Sequence, residues 1–245
     1  MKTSTILFIA CAIPIFGCGS GSSSGAYTPK PIKSVSPVAI NPGEEASLFP
    51  ATVDNMWQYQ LTSSTVVGGK AVNQDTKYGF KIKSVTPIDG GNEVTLELLN
   101  EDVVLSTQVW RVTTTGIYQL SVQSGATKQS FVPAQLVAPF PLKIDADNPV
   151  KVPWKGTGTT GFGQSTIDSV TTTQGPVVVD TKAGQYSAYR FNTESKVTGP
   201  KGEQGTQITT SFFSPKVGLV KFMQTFKAEN GARTEKLELL QVTVK

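Results

Sequence analysis

An all-β fold is predicted: a curved antiparallel sheet that forms a half-barrel, a barrel or a sandwich, with little helix. Three observations predict it. Apolar and polar residues alternate with period 2 in runs of about 5–12 residues. Turn residues such as Asp89-Gly90-Gly91-Asn92 and Gly199-Pro200-Lys201-Gly202 separate those runs. No amphipathic pattern is long enough for a helix beyond a short turn near Glu44–Leu48 or Pro133–Val137.

Taken in order, Trp57, Tyr59 and Leu61 share one face of the first run, Trp57–Val67. Tyr78, Phe80 and Ile82 follow, set against Lys77, Lys81 and Lys83, with Gly79 interrupting the polar face. Val94, Leu96 and Leu98 alternate with Glu93 and Glu97, so one face is buried and one is wet. Val103–Thr114 places Gln108, Trp110 and Val112 on one face. After the turn Thr115-Gly116, Tyr118, Leu120 and Val122 alternate. Five prolines between Pro133 and Pro153 predict a crossover or edge segment. Ser165–Thr173, Pro176–Thr181, Gln185–Val197, Thr206–Ser214, Val217–Lys227 and Thr234–Lys245 are the remaining strands. In the last, Leu237 and Leu239 face one side and Leu240, Val242 and Val244 the other, which predicts cover on both faces. Phe49-Pro50 leading to Trp57, and Phe140-Pro141 leading to Trp154, suggest two similar halves, 49–132 and 140–245.

The N-terminus decides where this body lives. Lys2, the apolar run Ile6–Phe16 and the small residue Gly17 have the order of a secretory signal. The run is shorter than the roughly 20 residues that span a bilayer, and Pro14 breaks it. Ile15-Phe16-Gly17-Cys18 resembles a bacterial lipobox, with cleavage after Gly17 and lipid on Cys18. That resemblance implies a membrane anchor on an envelope protein. With Gly19 rather than Asp next, it implies an outer-membrane address in a Gram-negative cell. Residues 1–17 are then signal, 18–46 a Gly/Ser- then Pro-rich tether, and 47–245 a single β domain.

Composition removes several chemistries. Cleavage leaves 228 residues with Cys18 as the only cysteine, so no intrachain disulfide forms. There is no histidine, which removes Ser-His-Asp and Cys-His catalysis and His-ligated zinc. The mature chain carries 21 Lys+Arg against 18 Asp+Glu, scattered, so no nucleic-acid surface is expected. Gly156–Gly161 spells Gly-x-Gly-x-x-Gly, with Asp180 beyond it. The β-branched sequence after it has no helical period, so a hairpin is expected and no cofactor. Gly21-Ser-Ser23-Ser-Gly25 lies in the tether and has no histidine partner. Asp145-Ala-Asp147-Asn148 lacks the Gly and distal Glu of a calcium loop and reads as a turn, so no metal site is assigned. Glu44-Glu45 and Glu101-Asp102 read as surface charges, because neighbours on a strand point apart.

Two stretches resemble a family of uncharacterised bacterial lipoproteins. The first is Phe49-Pro50 leading through Ala51-Thr52-Val53 to Asp54-Asn55-Met56-Trp57-Gln58-Tyr59; the second is Phe212-Phe213-Ser214-Pro215-Lys216-Val217-Gly218-Leu219-Val220-Lys221. Asp54 and Lys216 stand where the family has Gly, the residue that left-handed backbone favours. The resemblance implies a curved β body on a lipid tether and no known activity. Trp57 and Tyr59 are expected in the core or at its rim, and Gly218 at a strand bend. The function expected is a non-enzymatic, membrane-anchored binding protein with no catalytic residue, holding a lipid or other hydrophobic ligand on its curved sheet. The alternatives are a scaffold contacting an envelope protein or the cell wall and, third, a carboxylate-dependent hydrolase.

Overall fold

The computed structural model describes residues 35–67, 69–161, 163–229 and 231–245. Cys18 and Gly17 lie outside them. Among the described residues the only helix is a 3-10 turn, Glu45–Leu48, and the rest of the ordered backbone is twelve strands. These are β1 Met56–Val67, β2 Lys70–Ile88, β3 Gly91–Asn100, β4 Val103–Thr113, β5 Gly116–Ser124, β6 Thr127–Pro139, β7 Lys151–Thr160, β8 Gly163–Thr181, β9 Gly184–Thr198, β10 Gln204–Ser214, β11 Gly218–Ala228 and β12 Gly231–Thr243. Each pairs antiparallel with the next, and β1 pairs with β12, so the sheet closes into a barrel. Of the three sheet forms the alternation allowed, this is the one that leaves no continuous edge. Ser165–Thr173 and Pro176–Thr181, two runs in sequence, form one strand with a register shift between Gln174 and Val177.

Most large apolar residues point inward and most charged ones outward. Lys83–Glu97 (2.7 Å), Arg111–Glu93 (3.2 Å) and Lys155–Asp168 (2.8 Å) pair across neighbouring strands on the outer surface. A barrel that crosses a bilayer has the reverse arrangement, an apolar outer band around a polar interior.

The barrel mouth at the start of β1 is closed. From Val35 the chain lies against β9. Val38 N–H donates to Ser187 Oγ (2.7 Å) and Ile40 N–H to the Tyr189 hydroxyl (2.9 Å). The described part of the expected tether, 35–46, is thus laid on the barrel. Glu45 is buried and accepts the Gly43 N–H (2.7 Å), so it is no surface charge. Leu48 and Phe49 then enter the core, where Phe49 stacks on Trp110 with ring centroids 5.5 Å apart. The β8–β9 hairpin reaches over to β12, where Ala183 N–H donates to Leu239 O (2.8 Å).

The two stretches that carry the family resemblance meet at this mouth. Trp57 Nε1 donates to Val217 O (2.5 Å) and the Tyr59 hydroxyl to Leu219 O (2.6 Å). Lys216 N–H donates to Ser47 O (2.7 Å). Both aromatics are core residues. Lys216 follows Pro215 in a four-residue turn closed by Val217 N–H on Ser214 O (3.1 Å), and its φ is +61°. Asp54 has φ +69°. Left-handed backbone is therefore present at both positions without glycine. Asp54 is also held by Lys81 (3.1 Å) and Lys245 (3.3 Å), whose hydrogen bonds keep its carboxyl below the usual carboxylate range.

One seam is weak. β6 and β7 share three residue pairs, Ser130–Thr159, Phe131–Gly158 and Val132–Thr157. Beyond them Pro133, Pro139 and Pro153 have no N–H for a ladder. The crossover or edge segment expected from the proline cluster, and the helical turn at Pro133–Val137, are corrected: Pro133 and Pro139 lie in β6 and Pro153 in β7, both paired on two sides, and the prolines only shorten the ladder between them. Trp154 Nε1 bridges the gap to Ala134 O (3.0 Å), and Thr157 Oγ1 reaches Val132 O (3.3 Å). Trp154→Phe keeps a ring and removes that bridge. It is expected to cost about 1 kcal/mol and to speed amide hydrogen exchange along β6 and β7 while β10 and β11 keep theirs. Uniform acceleration, or none, would show that the seam does not depend on the indole.

Gly156 and Gly158, from the Gly-x-Gly-x-x-Gly stretch, lie within β7 of the β7–β8 hairpin. A Cβ on Gly156 would fall 2.5 Å from the Trp154 ring, so packing accounts for that glycine. Asp145 Oδ1 accepts the N–H groups of Asp147 (3.0 Å) and Asn148 (2.9 Å), a self-closed turn.

Candidate functional site

The barrel interior changes character along its axis. The large apolar cluster fills the closed end, from Leu48 and Phe49 through Trp57, Tyr59 and Phe80 to Leu239. A smaller cluster, including Phe131, Trp154, Ile167 and Val197, sits between β5 and β9. Polar side chains that are almost fully buried lie in the interior as well, among them Gln108, Gln119, Gln135, Ser195, Gln207 and Gln224.

Strand register explains how glutamines come to be inside. Gln108 alternates with Trp110 on the inner face of β4, as its spacing predicts. Gln119 does not follow from spacing. Val109 pairs with Ser121 and Trp110 with Gln119, so Leu120 is an extra residue in β5. That bulge shifts the inward face of β5 to Ile117 and Gln119 before it and Val122 after it. The expected face of Tyr118, Leu120 and Val122 is corrected accordingly: Ile117 and Gln119 are buried while Tyr118 and Leu120 are half-buried. Gln135 of β6 pairs with Gln119, and Gln207 of β10 with Ser195 of β9.

These residues surround a cavity of about 80 Å³. One wall carries Gln108, Gln119 and Gln135; another carries Thr193, Ser195, Gln207, Thr209 and Ser211. Phe80, Trp110, Phe213 and Phe222 supply aromatic surface. A smaller apolar pocket of about 40 Å³ adjoins it at the closed end; the two share Phe80, Trp110, Phe213 and Leu219, and Phe49 and Trp57 also line the smaller one. The larger cavity is well above the roughly 10–15 Å³ that admits one water. None of its lining residues carries a charge.

The amides are held in fixed orientations. Trp110 Nε1 can only donate, so the atom it meets at 2.9 Å is the Gln108 oxygen. The same oxygen accepts from Gln119 Nε2 (2.9 Å). Across the interior, Gln207 Nε2 donates to Thr209 Oγ1 (3.1 Å) and Gln224 Oε1 (3.3 Å). Flipping Gln108 would set its N–H groups against those of Trp110 and Gln119, and flipping Gln119 would set its oxygen against the Gln108 oxygen.

One carboxylate is buried inside the barrel. Glu235 of β12 forms an ion pair with Arg233 on the same strand and lies opposite Ser63 of β1 and Gln224 of β11. Burial pushes its carboxyl above the usual range, and Arg233 offsets part of the rise. Burial also pushes up the Tyr78 hydroxyl of β2, and the charge of Glu235 adds to that rise. Glu238 goes the other way: burial raises it, but hydrogen bonds and charge from Lys236 and Lys221 outweigh burial and hold it low. A group that binds its proton more tightly folded than unfolded stabilises the fold on the acid side. Glu235 therefore favours folding most below the unfolded carboxylate pKa, and this contribution is lost as pH rises through its raised folded value. Asp54 and Glu238 favour folding above the unfolded value, and that contribution is lost as pH falls through their lowered ones. Removing the titration with Glu235→Gln should make the wild type gain on the variant as pH falls from neutral toward the unfolded carboxylate pKa, measured as urea midpoints. Parallel pH curves would contradict it.

Among the described residues no group of three or more Asp, Glu, Cys or His comes together to hold a metal ion. Sequence reasoning singled out neither Gln119 nor Gln207; the turn signals flanking β5 give no sign of the Leu120 bulge.

No protein-family model matches the chain, and no curated protein is significantly similar to it. Among solved structures it is similar to a Bacteroides fragilis protein named as a presumed exported protein with a YmcC-like fold. That match has a TM-score of 0.49 and 14% identity, covering 80% of this chain and 98% of that one. It is also similar to a protein from Parabacteroides distasonis named as a presumed lipoprotein. That one has a TM-score of 0.48 and 13% identity, again over 80% and 98%.

Proposed function

We propose that this chain is a lipid-anchored envelope protein that binds a small uncharged ligand inside its barrel and does no covalent chemistry. The observation that carries the reading is the charge-free cavity with its two fixed amides, Gln108 and Gln119. The lining has Ser and Thr hydroxyls but no acidic or basic side chain to activate them or to shuttle a proton. At about 80 Å³ the space is well below the 300–1,000 Å³ of sites for larger ligands, which counts against a long acyl chain. Native mass spectrometry of the full-length protein, released gently from the membrane of its own cells, tests this. A discrete added mass that leaves on denaturation is expected; the bare chain mass in every preparation would count against it.

Anchoring rests on Gly17-Cys18 and is tested separately. Cys18→Ala should abolish labelling by a fatty-acid analogue and move the protein from the membrane fraction to the soluble one. Retention in the membrane without label would contradict the anchor.

A scaffold role has one supporting feature. Lys70–Lys77 of β2 pair with β1 alone, since β3 begins to pair only at Gly79, which leaves a strand edge open beyond the barrel rim. Cross-linking from this edge that recovers one reproducible envelope protein would favour it.

A further inference from the structure

We propose that the ligand is a single uncharged sugar ring. This inference rests on reading the interior cavity as a ligand site, and it follows from what that cavity offers and lacks.

A charged ligand has no counter-charge on the cavity lining. Burying it unpaired is costly. A hydrocarbon would leave buried amides without partners. The bond between Gln108 and Gln119 uses the Gln108 oxygen and the Gln119 nitrogen, and the amide atoms it does not use are Gln108 Nε2 and Gln119 Oε1. They present a donor and an acceptor side by side. The opposite wall supplies the hydroxyls of Ser195 and Ser211, each able to donate and accept, beside Thr193, whose hydroxyl is bonded to Thr171 (2.9 Å), and Thr209, whose hydroxyl accepts from Gln207 (3.1 Å). A ligand bearing several hydroxyls matches such a mixed set, because every hydroxyl both donates and accepts.

The aromatic surface removes the other extreme. Phe80, Trp110, Phe213 and Phe222 offer faces and edges that a wholly polar molecule would leave uncovered. A sugar ring has what both parts require: a rim of hydroxyls and a face of C–H groups. At about 80 Å³ the cavity admits at most one ring and not a chain of rings.

The test is titration of the full-length protein in a sugar-free detergent, read by tryptophan fluorescence and calorimetry. The probes are glucose, galactose and N-acetylglucosamine, with glucuronate as the charged control and palmitate as the acyl control. One neutral sugar is expected to bind at one per chain, with glucuronate and palmitate at least about tenfold weaker. Gln108→Leu should weaken the sugar about tenfold or more. Ser195→Ala, a smaller change less able to disturb folding, should weaken it severalfold. Sugar binding that neither substitution alters would put the sugar elsewhere and overturn the proposal. Palmitate binding without any sugar binding would overturn the sugar while leaving the interior site standing. No binding by any probe, together with a bare chain in native mass spectrometry, would remove both.

Discussion

Trp57→Ala is expected to cost about 3–5 kcal/mol. Trp57 is 3% exposed, and its indole joins the two stretches that close the barrel mouth. Its N–H holds Val217 O, and its ring lies where a Cβ on Gly218 would come within 3.1–3.2 Å. Truncation removes the buried ring, opens a cavity beside Phe49 and leaves the Val217 carbonyl without its donor. Trp57→Phe separates these effects, because it keeps a ring and removes only the N–H, at about 1 kcal/mol. Urea denaturation of the three proteins measures both. Equal losses for Phe and Ala would mean that the hydrogen bond, not the packing, holds the mouth.

Phe49→Ala should have a comparable effect, about 3–5 kcal/mol, for a different reason. Phe49 is the point at which the segment from Val35 enters the barrel. It stacks on Trp110 and lies against Trp57 at 6.1 Å between ring centroids. It also lines the smaller apolar pocket beside the glutamine-walled cavity. The variant is expected to release the segment from β9, so limited proteolysis should cut between Val35 and Ser47 where the wild type resists. Because Phe49 and Trp57 touch, their losses should not add; the pair removed together should cost less than the sum of the single losses. Strict additivity would show two independent contacts and contradict a single closing unit.

Alternation alone made most of the barrel legible. Trp57, Tyr59 and Leu61, then Val94, Leu96 and Leu98, face inward as period 2 requires, and Glu93 and Glu97 face out. Closure was not legible. It depends on β1 meeting β12, some 175 residues apart, and no local pattern encodes that pairing. The site was half legible. Gln108 could be placed beside Trp110, but a glutamine there looks like a defect in an apolar face until its partner is known. Gln119 was hidden by the bulge at Leu120, which exchanges the two faces of β5 in mid-strand. Glu45 was misread for a related reason: its neighbours suggest a solvated pair, whereas the turn it sits in folds back so that it caps Gly43. Asp54 and Lys216 show that tertiary contacts at the mouth hold left-handed backbone even where a side chain raises its cost.

The central claim is that the barrel holds a small neutral molecule against Gln108 and Gln119. The most direct measurement is a high-resolution crystal structure of the protein isolated from its own cells without added ligand. Ring-shaped density within hydrogen-bond distance of the Gln108 amide nitrogen and the Gln119 amide oxygen is the predicted result. A cavity closed by repacked side chains, or threaded by an acyl chain, would contradict it.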